Sequence, residues 1–187
     1  ESLIIHNYKL YAIDRGGYLS NAGNNKIYVI DIVSNTIMDS IAVSLDPNSM
    51  QIDKYNKLWV LCSGGINIVK PNLLRIDLNS NSIEKTFTFT DISMSPTHLK
   101  INRDGEELFF INNSVYKMNV MDSVLSTTEI IKNNMSTFYG LGIDNTTKDI
   151  YTTDALDYIQ IGVVRHFNER GTLLKSFNTG IIPQFVN

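Results

Sequence analysis

Four short strand-type runs that recur together every forty to fifty residues predict an all-β chain built of propeller blades. The clearest run opens on a charged residue and continues with aromatic, aliphatic or β-branched residues. It reads KLYAID from Lys9, KLWVLC from Lys57, ELFFIN from Glu107 and DIYTTD from Asp149, at spacings of 48, 50 and 42 residues. Apolar residues in the runs alternate or nearly alternate with polar ones, as strands with a buried face require, and no stretch follows a helical period. A period in the forties with four short strands per unit is the pattern of a propeller blade. A helical solenoid is excluded by the period-2 patterning and the Thr, Val, Ile, Tyr and Phe content of the runs. A sandwich gives many short strands, but not four that recur with the same turn chemistry.

Each blade is read as strands A, B, C and D. Strand A is the run led by proline or serine: DPNSMQID, SPTHLKIN, STFYGLGID and the terminal IIPQFVN. Strand B is the KLWVLC type. Strand C follows a loop: KIYVID at Lys26, NLLRID at Asn72, SVYKMN at Ser114 and GVVRHF at Gly162. A polar turn then leads to strand D: TIMDSIAV, SIEKTFTF, STTEII and TLLKSF. On this reading the chain opens on B-C-D and ends on a lone A. The terminal A strand is therefore expected to complete the first blade, a closure that removes exposed sheet edges. The blades fall at about 1–43 plus 181–187, 44–89, 90–131 and 132–180, in a single propeller domain or part of one. About four blades are present.

Composition narrows the function classes. The 187 residues are 43% hydrophobic and 19% charged, with a net charge of −3, which fits a folded domain and argues against a nucleic-acid surface. No window approaches eighteen consecutive apolar residues, so no membrane-spanning segment is expected. One cysteine excludes an internal disulfide and leaves the redox compartment open.

The segments DPNSMQIDKYNKLWVLCSGG, LLRIDLNSNSIEKTF, YGLGIDNTTKDIYTTDALDY and GIIPQF resemble the YncE-like bacterial surface β-propellers. Within them they are most similar to the branch that includes the BtuG-type cobalamin-capturing surface lipoproteins. The resemblance runs from about Tyr8 to Phe185 and matches the C-terminal four or so blades of proteins that usually have seven. It leaves either a short version of such a propeller or a fragment of a seven-bladed parent, with the fragment or a further N-terminal part preferred. It also implies export to the bacterial surface or periplasm, and capture of a corrinoid-like ligand for an outer-membrane transporter.

The stretch Cys62-Ser63-Gly64-Gly65 raises the question of a nucleophile. A nucleophile needs a base within hydrogen-bond reach and a group that orients the base. The three histidines, His6, His98 and His166, fall in unrelated repeat slots. Cys62 reads as a small buried hydrophobe and the glycines as a turn leaving the sheet. No catalytic residue and no enzymatic activity are expected.

Binding residues on a repetitive scaffold concentrate in its long loops. The B–C loops DRGGYLSNAGNN, CSGGINIVKP and TDALDYIQIG are long, and in propellers they share one face with the D–A loops. They supply Arg15, Tyr18, Asp154, Asp157 and Tyr158 as candidate ligand contacts, and the D–A side adds Asn48, His98, Phe138 and Tyr139. Tyrosine and arginine stack on or hydrogen-bond a large planar polar ligand. Asp14, Asp31 and Asp77 close their strands in equivalent slots and read as turn caps. Asp154, Asp157 and Asp14 could offer oxygens to Ca²⁺, but no calcium-loop signature exists and neither metal nor cofactor is expected. The strand-B aromatics Tyr11, Trp59, Phe109 and Tyr151 are expected to pack between blades. Three functions follow in order: a small-molecule binding module, a protein-interaction scaffold, and a metal-dependent hydrolase or lyase.

Overall fold

Hairpins between sequence neighbours generate every sheet. The computed structural model describes residues 2–15, 25–65, 67–134 and 136–184. It divides into two compact units, Glu1–Leu99 and Lys100–Asn187. In chain order the strands are β1 (Leu3–His6), β2 (Lys9–Asp14), β3 (Lys26–Asp31), β4 (Thr36–Ala42), β5 (Pro47–Ile52), β6 (Lys57–Cys62), β7 (Asn72–Asp77) and β8 (Ser82–Thr88). They continue as β9 (Thr97–Ile101), β10 (Glu107–Asn112), β11 (Ser114–Asn119), β12 (Glu129–Ile131), β13 (Phe138–Ile143), β14 (Ile150–Asp154), β15 (Val163–Phe167) and β16 (Leu173–Asn178). They form four four-stranded sheets, β1–β4, β5–β8, β9–β12 and β13–β16, each in sequential order. Among the described residues no helix is long and apolar enough to cross a membrane.

In the first unit, the core lies between sheets β1–β4 and β5–β8. Tyr11, Ile13, Ile27, Val29 and Ile41 from one meet Met50, Leu58, Val60, Cys62, Leu74 and Ile76 from the other. The alternation along each strand selects these residues. Strand β6 is buried on both faces, because Trp59 and Leu61, which point the other way, are also fully buried. That explains the unbroken apolar run in KLWVLC. Trp59 donates its indole N–H to Asp53 at 2.8 Å, so its one polar atom is satisfied. In the second unit, Phe109, Ile111, Val115 and Ile131 pack on Leu141, Ile150 and Phe167. Tyr151 instead stacks on His166 of its own sheet, ring centroids 4.5 Å apart.

The repeated turns share one chemistry. At the end of strand C, Asp31 accepts from the N–H groups of Val33 and Ser34, both at 2.8 Å. Asp77 does the same for Asn79 and Ser80, and Asn168 for Arg170 and Thr172. Between strands A and B the bracket is Asp53, Asn102 or Asp144, each accepting two following backbone N–H groups. These Asx brackets are why Asp and Asn recur at fixed offsets.

One expectation is corrected. The first sheet is completed not by the terminal IIPQFVN run but by β1, whose Leu3, Ile4, Ile5 and His6 pair with Ala12, Tyr11, Leu10 and Lys9. Asn7 and Tyr8 both take positive φ (48° and 60°), which closes a two-residue hairpin of the kind that fits strand twist. Such a local pairing closes a far shorter loop than one with the C-terminus. Residues 181–184 form no strand. They lie against the last sheet, where a Cβ on Gly140 would come 2.5 Å from the Gln184 carbonyl oxygen, and one on Gly162 2.5 Å from the Pro183 ring.

Candidate functional site

The loops singled out in the sequence leave the sheets at the ends where strand B stops and strand A starts. In the first unit this end is held by Asp46. Arg15 donates from Nε and Nη2 to one oxygen of Asp46, at 2.8 and 2.6 Å. Ser63 donates its hydroxyl to the other oxygen. The Ser63 and Gly64 N–H groups bond back to the carbonyls of Asp46 and Leu45, each at 3.0 Å. Gly64 and Gly65 take φ of 78° and 67°, and a Cβ on Gly64 would come 2.2 Å from the Val69 oxygen. Only glycine turns the chain here.

Asn48 spans two segments of the same unit. Its Nδ2 donates to the Pro96 carbonyl at 2.9 Å, and its Oδ1 accepts from Ser49 at 2.7 Å. His98 has φ of 58° and bonds through Nδ1 to Thr97 Oγ1 at 2.9 Å. Tyr18 lies outside the described residues.

The other candidates gather in the second unit, at one end of sheet β13–β16. A bulge between Phe138 and Gly140 sets Tyr139 out of register with β14. Tyr139 meets Tyr158 edge to face, ring centroids 5.6 Å apart at 82°. Tyr158 is 48% exposed, and its neighbours Ile159 and Ile161 are 77% and 60% exposed. Asp157 supports this loop by accepting from the Ile159 and Gln160 N–H groups at 3.0 and 2.9 Å and from Gln160 Nε2 at 2.8 Å. Those bonds, the Gln160 N–H foremost, lower its pKa. Phe138 is half-buried against the core of the unit.

Asp154 is committed elsewhere. It is fully buried, with Oδ1 accepting from Thr137 N–H and Leu156 N–H at 2.9 Å each and Oδ2 from Arg165 Nη1 at 2.6 Å. Burial pushes its pKa up, but Arg165 and the two N–H groups outweigh that and hold the carboxyl below its ordinary value. Among the described residues no three His, Cys, Asp or Glu side chains are grouped to hold a metal. Burial pushes the Cys62 thiol up to about 12, so it carries almost no thiolate near neutral pH. The histidines bond to Asn7, Thr97 and Asp149 rather than to Ser63.

Two cavities escaped the sequence reading, both in the second unit. One, of about 380 Å³, lies among the A–B and C–D turns and is lined by charged groups including Glu106, Lys117, Lys148 and Arg170. The other, of about 340 Å³, is walled by Ile131, Phe138, Phe167 and Leu173 with Lys132 and Arg165 beside them. No local pattern signals the second, because its apolar lining comes from strands of two sheets.

No family model matches the chain, and no curated protein does. Solved structures do. The hydrazine synthase of Kuenenia stuttgartiensis superposes with a TM-score of 0.70 at 12% identity, over 92% of this chain and 46% of that one. A quinonprotein alcohol dehydrogenase-like protein of Bacteroides thetaiotaomicron gives 0.67 at 15% identity, over 95% and 45%. A chain of the mitotic checkpoint complex gives 0.65 at 14%, over 92% and 48%. The fold is that of a β-propeller. The chain spans about half the length of the propellers it matches, and identities this low speak for the fold alone.

Proposed function

We propose that this propeller is a non-catalytic binding module, exported to the bacterial surface or periplasm. It takes a large planar ligand on the loop of sheet β13–β16 for delivery to an outer-membrane transporter. The observation that carries the reading is the Tyr139–Tyr158 pair, in which the half-buried Tyr139 of β13 meets the exposed Tyr158 of a loop that Asp157 braces through three hydrogen bonds. Aromatic side chains supply much contact area at little entropic cost, which suits capture from dilute solution. The corrinoid-like identity of the ligand follows the resemblance to YncE-like and BtuG-type propellers. Both cavities sit at the low end of the roughly 300–1,000 Å³ typical of drug-sized ligands. A corrinoid therefore lies on the exposed loop rather than inside.

A catalytic role has less support. Asp154 is neutralised by Arg165, Cys62 is protonated and Ser63 faces a carboxylate without a histidine. A protein-interaction scaffold is the second reading, favoured by the exposed Ile159 and Ile161 beside Tyr158. Isothermal titration with cyanocobalamin, run beside an Asp157→Ala, Tyr158→Ala double variant, separates the two. Saturable heat that the double variant loses supports capture at this loop. A folded protein that gives no heat sinks the corrinoid reading and leaves the scaffold in first place.

A further inference from the structure

The second cavity lies beside β12, the shortest strand of the described residues, and is lined by residues at and just after its C-terminal end. Strands β4 and β8 have seven residues and β16 has six, whereas β12 has three, Glu129–Ile131. The cavity's apolar lining comes from Phe138, Phe167 and Leu173 of sheet β13–β16 and from Ile131 of β12. Gly171 fixes the spacing: it has φ of 79°, and a Cβ there would come 2.0 Å from the Ile130 carbonyl oxygen. The backbones therefore touch at the turn while the space beside them stays open.

The polar complement of this cavity has one sign. Lys132 and Arg165 line it, Asn134 and Ser136 add uncharged polar groups, and none of its lining residues among those described is acidic. Arg165 is neutralised by its hydrogen bond to Asp154, so Lys132 supplies the net positive charge. Four apolar walls with one uncompensated cation at the edge select a molecule with an apolar body and a single anionic head. We infer that this cavity binds a medium-chain aliphatic or arylalkyl monocarboxylate, its chain between Phe138, Phe167 and Leu173 and its carboxylate at Lys132. Neither Tyr139 nor Tyr158 lines the cavity, although Phe138, next to Tyr139 in β13, does.

The test is isothermal titration of the full chain with octanoate, octan-1-ol and octylammonium. The variants are Lys132→Met, Lys132→Glu, Leu173→Asp and, as a control, Tyr158→Ala. Lys132 and Leu173 are exposed, so these substitutions leave the core intact. The expected result is one saturable octanoate site, at least tenfold tighter than octan-1-ol, with octylammonium weaker still. Lys132→Met is expected to lose most of the octanoate preference, and Lys132→Glu and Leu173→Asp to weaken octanoate tenfold or more, while Tyr158→Ala leaves it unchanged. Equal affinity for octanoate and octan-1-ol, no saturable binding, or octanoate binding untouched by the Lys132 and Leu173 variants each overturns the assignment.

Discussion

Arg165 and Asp154 form a cross-strand ion pair in which the carboxylate is wholly buried and the guanidinium reaches it at 2.6 Å. The register of β14 on β15 makes this possible: Thr152 is opposite Arg165, which places the arginine diagonally one step from Asp154 on the same face. Removing one partner of such a pair leaves a charge with nowhere to go, a loss of about 3–5 kcal/mol when both are buried. Asp154 keeps two backbone donors, and Arg165 is partly exposed. Arg165→Met is therefore expected to cost about 2–4 kcal/mol in urea unfolding, somewhat under that range. Adding Asp154→Asn, which removes the stranded charge but keeps both acceptor bonds, recovers about half of the loss. A double variant no more stable than Arg165→Met argues against charge burial as the cause.

The paired glycines after Ser63 are unequal, although both have positive φ. A Cβ on Gly64 meets backbone atoms, at 2.2 Å from the Val69 oxygen, whereas one on Gly65 meets side-chain carbons of Leu45 and Ile68 at 2.8 and 3.2 Å. Side chains can turn aside and a carbonyl cannot. Gly65→Ala is expected to cost about 1–2 kcal/mol, the ordinary left-handed penalty. Gly64→Ala is expected to cost at least twice that, because the turn itself must open. Thermal unfolding of the two variants side by side checks the order.

Cys62 is the one thiol of the chain and is fully buried. With its pKa pushed up to about 12, about one molecule in ten thousand carries a thiolate at pH 8, before access is considered. Labelling by an aromatic disulfide reagent is expected to be at least a thousandfold slower than for a free thiol. Denaturant should restore the ordinary rate. Fast labelling of the folded protein would show that β6 opens locally rather than with the whole first unit.

What the sequence displayed, and what it hid, follows from burial and locality. Strands β2, β3, β6, β7, β10 and β11 span the same residues as the runs picked out by pattern, because their apolar side chains face a core. Strand β1 was missed: although Ser2 precedes it, it has only four residues, and Leu3 and Ile5 among them are exposed. The Asx brackets at Asp31 and Asp77 were readable because their partners lie two or three residues ahead. The partner of Asp154 lies eleven residues on, across a strand pairing that no local pattern announces. The meeting of Tyr139 with Tyr158 depends on a bulge, and the second cavity on side chains brought together from strands of two sheets. Neither is a property of a residue type at a spacing.

Acid should weaken the fold in a defined window. Asp77 is held at about 2, first by its hydrogen bond from Lys57 and then by the Asn79 N–H. Asp154 is also held below its ordinary value. Both folded-state values lie below the unfolded carboxylate value of about 3.9, so below that pH the unfolded chain binds more protons. The stability these groups contribute is complete above about pH 5 and disappears as pH falls from about 4 towards 2. The urea midpoint is expected to stay level from pH 7 to 5 and then drop steeply. Asp77→Asn should start lower at pH 7 and converge on the parent near pH 2, since it lacks only what acid removes. Because the Lys57–Asp77 pair is partly exposed, 1 M NaCl should narrow the gap at pH 7. Curves that run parallel from pH 7 to pH 2 would mean that Asp77 acts through its turn bonds in a way that protonation does not disturb.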